Sequence, residues 1–319
     1  LLKETVTGSG NLVKVIVGNI QRTIPLGIAH YKRPQESAVL SEAKQEMEKY
    51  SSESELISEI DEGFFQVGTL GGGNHFIEIQ EDENGLACIM LHSGSRHFGN
   101  VIGQHFNKIA RELNRKYWSD VPESYNLPFL PVDTPEGKSY LSYMNLAMNF
   151  AFENRAVMLR KIKDIFSENV QKFAGVTTEF SNEINCHHNY ASLENHFDKD
   201  VWVHRKGAVR VSEGELSIIP GAMGSFSYIV KGKGNSESFM SSSHGAGRKL
   251  SRTKAVETFS VETVMTDLKK QDVVLGKNNK SDVAEESRFA YKDIDVVMEN
   301  QKDLVEPVKK LFTVGVVKG

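Results

Sequence analysis

Ser241-Ser-Ser-His244-Gly-Ala-Gly-Arg248 places one histidine between a run of hydroxyl side chains and two glycines. Glycines let the backbone approach a phosphate closely, so that amide groups can point at it. Arg248 adds a planar guanidinium suited to phosphate oxygens, and Lys249, Arg252 and Lys254 follow it. The stretch therefore predicts a loop that holds a phosphate beside an imidazole. A glycine-rich turn before a basic helix explains it equally well, so other parts of the chain must decide.

The composition is that of an ordinary folded protein. The chain has 319 residues, of which 39% are hydrophobic and 25% are charged, enough for a sizeable core. No apolar run approaches the roughly 20 residues that span a bilayer, and no secretory signal opens the chain. Cys88 and Cys186 are too few for a disulfide framework. We therefore expect a cytoplasmic protein with no membrane partner.

Charge is distributed unevenly along the chain. The formal net charge of −4 gives no overall sign of nucleic-acid binding. Acidic residues crowd the stretch from Ser41 to Glu62, whereas Lys231 to Lys254 contains six bases and a single acid, Glu237. A polyanion would therefore be drawn to the segment that carries His244.

The first 65 residues predict a peripheral part with helices. Leu12 to Ile24 is a short apolar segment, and a charged amphipathic helix is expected from about Ser41 to Tyr50. The Ser-Glu mixture that follows indicates a solvated helix face or a loop. No repeat or low-complexity tract divides the chain, so we expect one domain over residues 1–319.

Histidines occur at the ends of three extended segments. His75-Phe-Ile-Glu-Ile alternates like a half-buried strand, and Ala87 to His92 predicts an apolar strand that runs into a Ser-Gly-Ser-Arg turn. Active-site residues usually lie at such strand ends. On its own, His75 is more often a hydrogen-bonded core histidine than a ligand. In the pair His187-His188, neighbours in an extended chain face opposite ways, so only one can join a metal centre.

Three helices and a closing strand are predicted in the rest of the chain. A helix is expected from about Asn100 to Tyr117, and Pro135 begins a long helix through about Ile165 that is apolar nearly all round and therefore buried. The tail predicts a helix through about Leu311 and then a strand with Lys318 near its end. Lys318 either contacts a ligand or belongs to a frayed terminus.

These motifs together resemble the RtcB family of RNA-splicing ligases. They occur in the family's order over about residues 65 to 319, and they are specific as a set although each is weak alone. The motifs are GTLGGGNHFIEI, LHSGSR, EINCHHNY, RKGA, IPGAMG, SSSHGAGR, SRTKA, AYKDID and VKG. The resemblance implies an α+β fold, a single domain with mixed β-sheets flanked by helices around a central metal and nucleotide cleft.

The resemblance also implies an activity. Such enzymes use GTP and manganese to join an RNA 3′-phosphate or 2′,3′-cyclic phosphate end to a 5′-hydroxyl end, in RNA repair and tRNA splicing. The family's nucleophile falls on His244, which would carry the guanylate, and its metal ligands fall on His75, His92 and His188. The resemblance adds archease as a candidate partner, and we expect a monomer.

Further site residues follow from the same resemblance. The family's nucleotide contacts fall on Asn74, His75, Phe76, Ile77, Glu78, His188, Asn189, Pro220, Gly221, Ala222, Met223, Ser227, His244, Gly245, Ala246, Gly247, Tyr291 and Lys318, with Tyr291 against the base. Four basic residues are predicted to contact RNA phosphates: Arg96, Lys206, Arg248 and Arg252.

The sequence departs from the family pattern in two ways. The family's Asp-x-Gly-Cys-Gly metal motif does not occur here, and Ala222 stands where a hydroxyl residue is common. We therefore expect an N-terminally truncated chain that holds one manganese weakly and guanylates poorly. Two alternatives stay open: an inactive or regulatory fragment that binds nucleotide or RNA, and a metal-dependent phosphoesterase that uses three histidines.

Overall fold

The computed structural model describes residues 10–50, 54–277 and 283–319, and it confirms the α+β class. These residues form two compact units. The first contains the described parts of Leu1–Ile28, Leu70–His92 and Leu159–Gly319, and the second contains Ala29–Thr69 and Ser93–Met158. Each unit is assembled from separate stretches of chain, so no linker marks a boundary in the sequence. The expected single domain stays a prediction.

Helices and strands alternate irregularly along the chain. The helices are α1 (Gly10–Thr23), α2 (Ala38–Tyr50), α3 (Ser54–Gln66), α4 (Arg96–Lys116), α5 (Pro135–Ala174), α6 (Arg252–Thr258), α7 (Val261–Lys270) and α8 (Ile294–Glu299). The strands are β1 (Phe76–Asp82), β2 (Ala87–His92), β3 (Asn189–His196), β4 (Lys199–Lys206), β5 (Ala208–Arg210), β6 (Leu216–Ile219), β7 (Ser227–Gly232), β8 (Ser241–Ser243), β9 (Val274–Gly276) and β10 (Val305–Lys318). None of the described helices is both long and apolar enough to cross a bilayer.

A six-stranded sheet organises the first unit. Its order is β2-β1-β10-β7-β6, and β9 runs parallel to β10. The prediction that β1 is half-buried is wrong, because Phe76, Ile77, Glu78 and Ile79 are all buried. β1 lies between β2 and β10, and residues on both of its faces meet the protein interior. Two polar side chains of β1, Glu78 and Gln80, therefore have to find partners inside the protein.

β10 overturns the predicted helix through Leu311. α8 ends at Glu299, and residues 305–318 form one long strand that pairs with β7 along its first half and with β1 along its second. Pro307 and the many β-branched residues of this stretch disfavour a helix and suit a pleated strand. Val316 and Val317 are almost completely buried, so this strand ends in the core of the first unit and is not frayed.

Two short ribbons complete the first unit. β3 pairs antiparallel with β4, and β5 pairs antiparallel with β8. The predicted hydroxyl-rich loop at Ser241–Ser243 is therefore a strand, and the chain turns out of it only at His244. α6 follows at Arg252, capped by the Ser251 hydroxyl, which accepts from the Lys254 amide at 3.1 Å.

The second unit is helical. Its core contains Leu40, Ala43, Leu56, Ile60, Val67, Phe98, Ile102, Phe106, Tyr143 and Phe150. The helix predicted from Ser41 is α2, and the described part of the Ser-Glu mixture is α3. α5 begins at Pro135 as predicted but extends to Ala174. It is not buried all round, since Phe152 is 46% exposed while Phe150 is completely buried.

Candidate active site

Four histidines from distant parts of the first unit form one cluster, here called the histidine cluster: His75, His92, His188 and His244. His75 precedes β1 and His92 ends β2, while His188 precedes β3 and His244 follows β8. The ring centroids lie 5.6 Å apart for His75 and His92, and 4.8 Å apart for His92 and His188. The structure therefore brings together all three histidines that were predicted as metal ligands, with the predicted nucleophile beside them.

The spacing of two imidazole nitrogens fits a shared cation. The Nε2 atoms of His92 and His188 lie 3.3 Å apart. Two nitrogen ligands that are each about 2.1 Å from one ion lie roughly 3.0–3.4 Å apart at ordinary ligand angles. Burial and the neighbouring imidazoles lower the pKa of His92 well below its ordinary value. His92 is therefore neutral at pH 7, which is the form that ligates a metal.

His75 is oriented in the manner of a metal ligand. Its Nδ1 lies 2.9 Å from the Leu70 carbonyl oxygen, so that nitrogen carries the proton and Nε2 carries the lone pair. A metal-ligating histidine usually donates its second N–H to a carbonyl or carboxylate in this way.

The described residues do not complete a metal site. Across residues 10–50, 54–277 and 283–319, no group of three His, Cys, Asp or Glu side chains is disposed to hold a metal ion. Cys88 packs against the core around Val316, and Cys186 lies beside Ser217 at 3.9 Å. His92 and His188 thus fit two positions of a ligand shell, whose remaining positions require other donors.

His244 is held at the turn out of β8. Its ring stacks on His188 with centroids 4.8 Å apart and planes 10° apart. The His244 ring also lies near Gly207, where φ is +69° and where an added Cβ would be 3.2 Å from the Cε1 atom of the ring. A side chain at position 207 would therefore be strained and would push on the imidazole. Burial lowers the pKa of His244, and nearby Lys206 adds to this, so the ring is neutral at pH 7.

A cleft opens beside His244 and encloses about 830 Å³, part of it open to solvent. Most of the residues predicted to contact the nucleotide line it: Asn74, Phe76, Glu78, Pro220, Gly221, Ala222, Met223, His244, Gly245, Ala246, Gly247, Tyr291 and Lys318. Five others of that set lie outside the lining: His75, Ile77, His188, Asn189 and Ser227. Ser227 is buried, and its hydroxyl accepts a hydrogen bond from the Gly221 amide at 3.1 Å. Ser227 therefore positions a residue that lines the cleft without lining it itself.

Glu286 is a residue of the cleft that sequence reasoning missed. Its carboxylate accepts from Lys318 at 3.0 Å, from the Tyr291 hydroxyl at 2.6 Å and from Arg248 at 3.1 Å. Burial raises the pKa of Glu286, but these partners outweigh it and hold the pKa below its ordinary value. The only sequence signal was its position five residues before Tyr291 of the AYKDID motif. Glu286 fixes two side chains that were predicted to contact the nucleotide.

Glu78 is a second buried acid of the cleft. It accepts hydrogen bonds from Thr313 at 2.9 Å and from Gln80 at 2.6 Å. Burial raises the pKa of Glu78 to about 7, because these neutral donors and the more distant Lys318 offset only part of the desolvation. The cleft therefore offers one ionised carboxylate, Glu286, and one that titrates near neutrality.

The four predicted RNA contacts differ in how free they are. Lys206 is exposed, and Arg252 is half-exposed with its Nε 3.9 Å from Glu285 and Glu286 oxygens. Arg248 is already engaged by Glu286, by the Tyr291 hydroxyl and by two backbone carbonyls. Arg96 belongs to the second unit, where its Nε donates to the Thr69 hydroxyl at 3.0 Å. Contact of these residues with RNA stays a prediction.

Comparison with known proteins identifies a family. The family model described as tRNA-splicing ligase RtcB matches residues 10–319. The RNA-splicing ligase RtcB of Escherichia coli K12 is 44% identical over 254 residues, which are 79% of this chain and 61% of that protein. The RNA-splicing ligase RtcB of Mycobacterium bovis is 33% identical, over 81% of this chain and 66% of that protein. The tRNA-splicing ligase RtcB of Methanococcus maripaludis is 33% identical, over 81% of this chain and 60% of that protein. The chain thus spans about three fifths of the length of these relatives.

Proposed function

The chain belongs to the RtcB family of tRNA-splicing ligases, and on that basis we propose that it is part of an RNA ligase that uses GTP and manganese. Its substrates would be an RNA 3′-phosphate or 2′,3′-cyclic phosphate end and a 5′-hydroxyl end, and His244 would carry the guanylate between them. Action in RNA repair and tRNA splicing, assistance by archease and a monomeric state are further predictions from the family.

The observation that supports this proposal best is the position of His244. A neutral imidazole stands at the edge of a cleft whose volume suits a nucleotide, and a glycine loop and Lys318 line that cleft. Neutral imidazole is a competent nucleophile toward phosphorus, and covalent catalysis divides one difficult transfer into easier steps. An ordinary core histidine would face apolar side chains and not a cleft of this size.

The proposed chemistry has three transfers for an RNA 3′-phosphate end, and a 2′,3′-cyclic phosphate end is first opened by water to a 3′-phosphate. A ring nitrogen of His244 bonds to the α-phosphorus of GTP, and the bond to the bridging oxygen breaks, so that pyrophosphate leaves. An oxygen of the RNA 3′-phosphate then attacks that phosphorus, the phosphorus–nitrogen bond breaks and the imidazole is restored. The RNA 5′-hydroxyl finally attacks the activated RNA phosphorus, GMP leaves, and the hydroxyl proton passes to a base.

The chain's own residues would support these steps by orienting the His244 ring and by placing a cation and an aromatic ring in the cleft. His188 stacks on the His244 ring and Gly207 leaves room for it, which orients the ring before the nucleotide arrives. Lys318 lines the cleft and donates a hydrogen bond to Glu286. The Tyr291 ring also lines the cleft, and the guanidinium carbon of Arg248 lies 4.8 Å from its centroid. A flat aromatic ring and a buried ammonium at one end of a cleft suit a purine base.

His75, His92 and His188 are the residues that would hold manganese. Manganese accepts imidazole and oxygen ligands and, when bound, would offset the charge of the triphosphate. The oxygens or other donors that complete its shell would come from outside these three side chains. The 3.3 Å separation of the His92 and His188 nitrogens supports this assignment.

Label transfer from GTP tests the proposal. The chain is incubated with GTP labelled at the α-phosphate, with manganese, and the label bound to protein is counted after denaturation. We expect weak label on the wild-type chain, because the Asp-x-Gly-Cys-Gly metal motif does not occur in it, and no label on His244→Ala. His204→Ala is the control because His204 is exposed on β4. Label on His244→Ala at the wild-type level would show that His244 is not the nucleophile. GTP hydrolysis with no label on either protein would favour a phosphoesterase.

A further inference from the structure

α4 has one face that its own unit does not use. Phe98, Ile102, Phe106 and Ala110 recur at helical spacing and are buried in the core of the second unit. On the other side, Asn100, Gln104, Asn107 and Lys108 are exposed and border an open groove that continues to Arg115. This exposed side runs for about 22 Å from Asn100 to Arg115.

The exposed side is basic and rich in amides. Four of the five Lys or Arg residues of α4 lie in its last turns, at positions 108, 111, 115 and 116, with one acid, Glu112, while the fifth, Arg96, is bound to Thr69 and does not contribute to this side. Gly103 lies on the same side, and a Cβ added there would meet nothing within 4 Å, so the backbone is open to close approach. Cations that alternate with amide side chains are the groups that contact phosphates and sugars. Negative charge on a partner would therefore be complementary to this side of α4.

Trp118 stands at the end of the same helix and is 89% exposed. Its φ is +52°, a left-handed conformation that is a genuine outlier for a bulky residue. Its amide donates to the Arg115 carbonyl at 3.2 Å, so the turn is hydrogen-bonded. Held strain of this kind clusters at functional positions. Burial of the ring does not explain it, because the ring faces solvent.

The loop after Trp118 is fixed in place beside the ring. The Asn114 side chain donates to the Phe129 carbonyl at 2.8 Å and accepts from the Phe129 amide at 2.9 Å. A depression that encloses about 540 Å³, part of it open to solvent, lies between the loop and the helix, and Trp118, Arg111 and Leu127 are among the residues that line it. A flat ring, a guanidinium and a depression are therefore adjacent.

Exposed aromatic side chains concentrate in this loop. Tyr117, Trp118, Tyr125 and Phe129 are all at least 44% exposed, within thirteen consecutive residues that follow the basic end of α4. Aromatic rings beside Arg and Lys are typical of single-stranded nucleic-acid sites, since any base can stack on a ring while cations hold the backbone. Here the cations come from α4, because residues 117–129 contain no Lys or Arg and two acids, Asp120 and Glu123. An aliphatic peptide groove would have neither the charge nor the isolated indole.

From these features we propose that the exposed side of α4 together with residues 117–129, here called the α4 surface, binds a single-stranded segment of the RNA substrate. Phosphates would lie along Lys108, Arg111, Arg115 and Lys116, and a base would stack on Trp118. The inference rests on the proposed RNA ligase function and adds a second RNA site to it. The Arg115–Glu123 pair is exposed, so a phosphate can replace Glu123 at little cost.

The test uses an unreactive RNA, so that binding is measured without ligation. A 20-nucleotide oligouridylate with hydroxyl groups at both ends is titrated into the full chain carrying Trp202→Phe, which leaves Trp118 as the sole tryptophan. We expect RNA to quench Trp118 fluorescence and to shield it from acrylamide. Trp118→Ala should weaken binding about ten-fold, and Trp118→Phe should weaken it less, because a phenyl ring still stacks.

A charge variant tests the phosphate contacts independently. Lys108→Glu with Lys116→Glu should lower the slope of log K against log salt by roughly 0.7 for each lost phosphate contact. Lys269→Glu, an exposed lysine at the end of α7, is the matched control and should leave the slope unchanged. Thermal melting of each variant establishes that it is folded.

The outcomes separate this inference from the proposed function. If Trp118 is not quenched and both α4 variants bind oligouridylate as the wild type does, the α4 surface is not an RNA site, whatever His244 does with GTP. Unchanged RNA binding together with loss of a protein partner in Trp118→Ala would also overturn it, in favour of a protein interface. Quenching and weakened binding would support it even if no label from GTP reached His244.

Discussion

Replacing Arg205 should destabilise the turn that carries His244. Arg205 lies on β4 with its side chain 1% exposed, and it bonds to both oxygens of Glu194 at 2.5 and 2.9 Å. The same guanidinium donates to the Ser241 hydroxyl at 3.0 Å and to the Phe239 carbonyl at 2.9 Å. It thereby ties the β3–β4 ribbon to β8, directly before His244.

The magnitude follows from the burial of this pair. Arg205→Met keeps most of the side-chain volume but leaves Glu194 and the Phe239 carbonyl without their donor. Removing one partner of a buried ion pair costs about 3–5 kcal/mol. Arg210→Met is the control, because the Arg210–Glu215 pair is half-exposed and is worth about 0–1 kcal/mol. Urea denaturation measures both, with Trp118→Phe as background so that Trp202 on β4 reports the unfolding.

The pH dependence gives a second measurement. Burial opposes ionisation of Glu194, but Arg205, His196 and Ser192 outweigh it and lower the pKa to about 2. Because the folded pKa lies below the unfolded value of 4.5, this stabilisation is present above pH 4.5 and is lost as the pH falls toward 2. The acid-induced loss should be smaller in Arg205→Met. The reasoning would be refuted if the free energy of unfolding of Arg205→Met at pH 7 were within about 1 kcal/mol of that of Arg210→Met and if its stability fell with acid as in the wild type.

Three further predictions concern other buried polar groups. Glu78→Gln should remove a fall in stability between pH 4.5 and 7, since a folded pKa of about 7 makes the wild type lose stability as the pH rises through that window; denaturation at several pH values measures this. Asn154→Ala should cost about 3 kcal/mol or more, because its buried amide binds the backbone of residues 68, 69 and 94 in the second unit, whereas exposed Asn182→Ala should cost almost nothing. His92→Asn should weaken manganese binding by ten-fold or more in calorimetry, and an unchanged affinity would remove His92 from the metal site.

Local signals were sufficient for some of the elements. β2 and the start of α5 at Pro135 lie where apolar patterning and a helix-start signal predicted them. The resemblance placed His75, His92, His188 and His244, and the structure brings their rings together. The predictions of β2 and of the start of α5 succeeded because each depends on a few neighbouring residues, whereas the roles of the four histidines stay predictions.

Long-range pairing explains what the sequence did not reveal. The fourteen residues of β10 were partly predicted as helix, because local periodicity carries no information about β1 and β7, which pair with β10. Glu286 was missed for a related reason. Its role depends on Lys318 and Arg248, which lie far from it in the chain and which only the folded sheet brings near.

The pairing of β1 with β10 has a consequence for how the protein folds. Phe76 pairs with Lys318, so most of the described chain separates two residues that face one cleft. Closing so long a loop costs entropy before any contact repays it, and folds dominated by such contacts reach the native state slowly. Until β10 docks, β1 and β7 each present an unpaired edge that can join another chain. The cleft is therefore among the last parts to form. Slow refolding or aggregation would then lower the amount of correctly folded protein even when every residue of the cleft is intact.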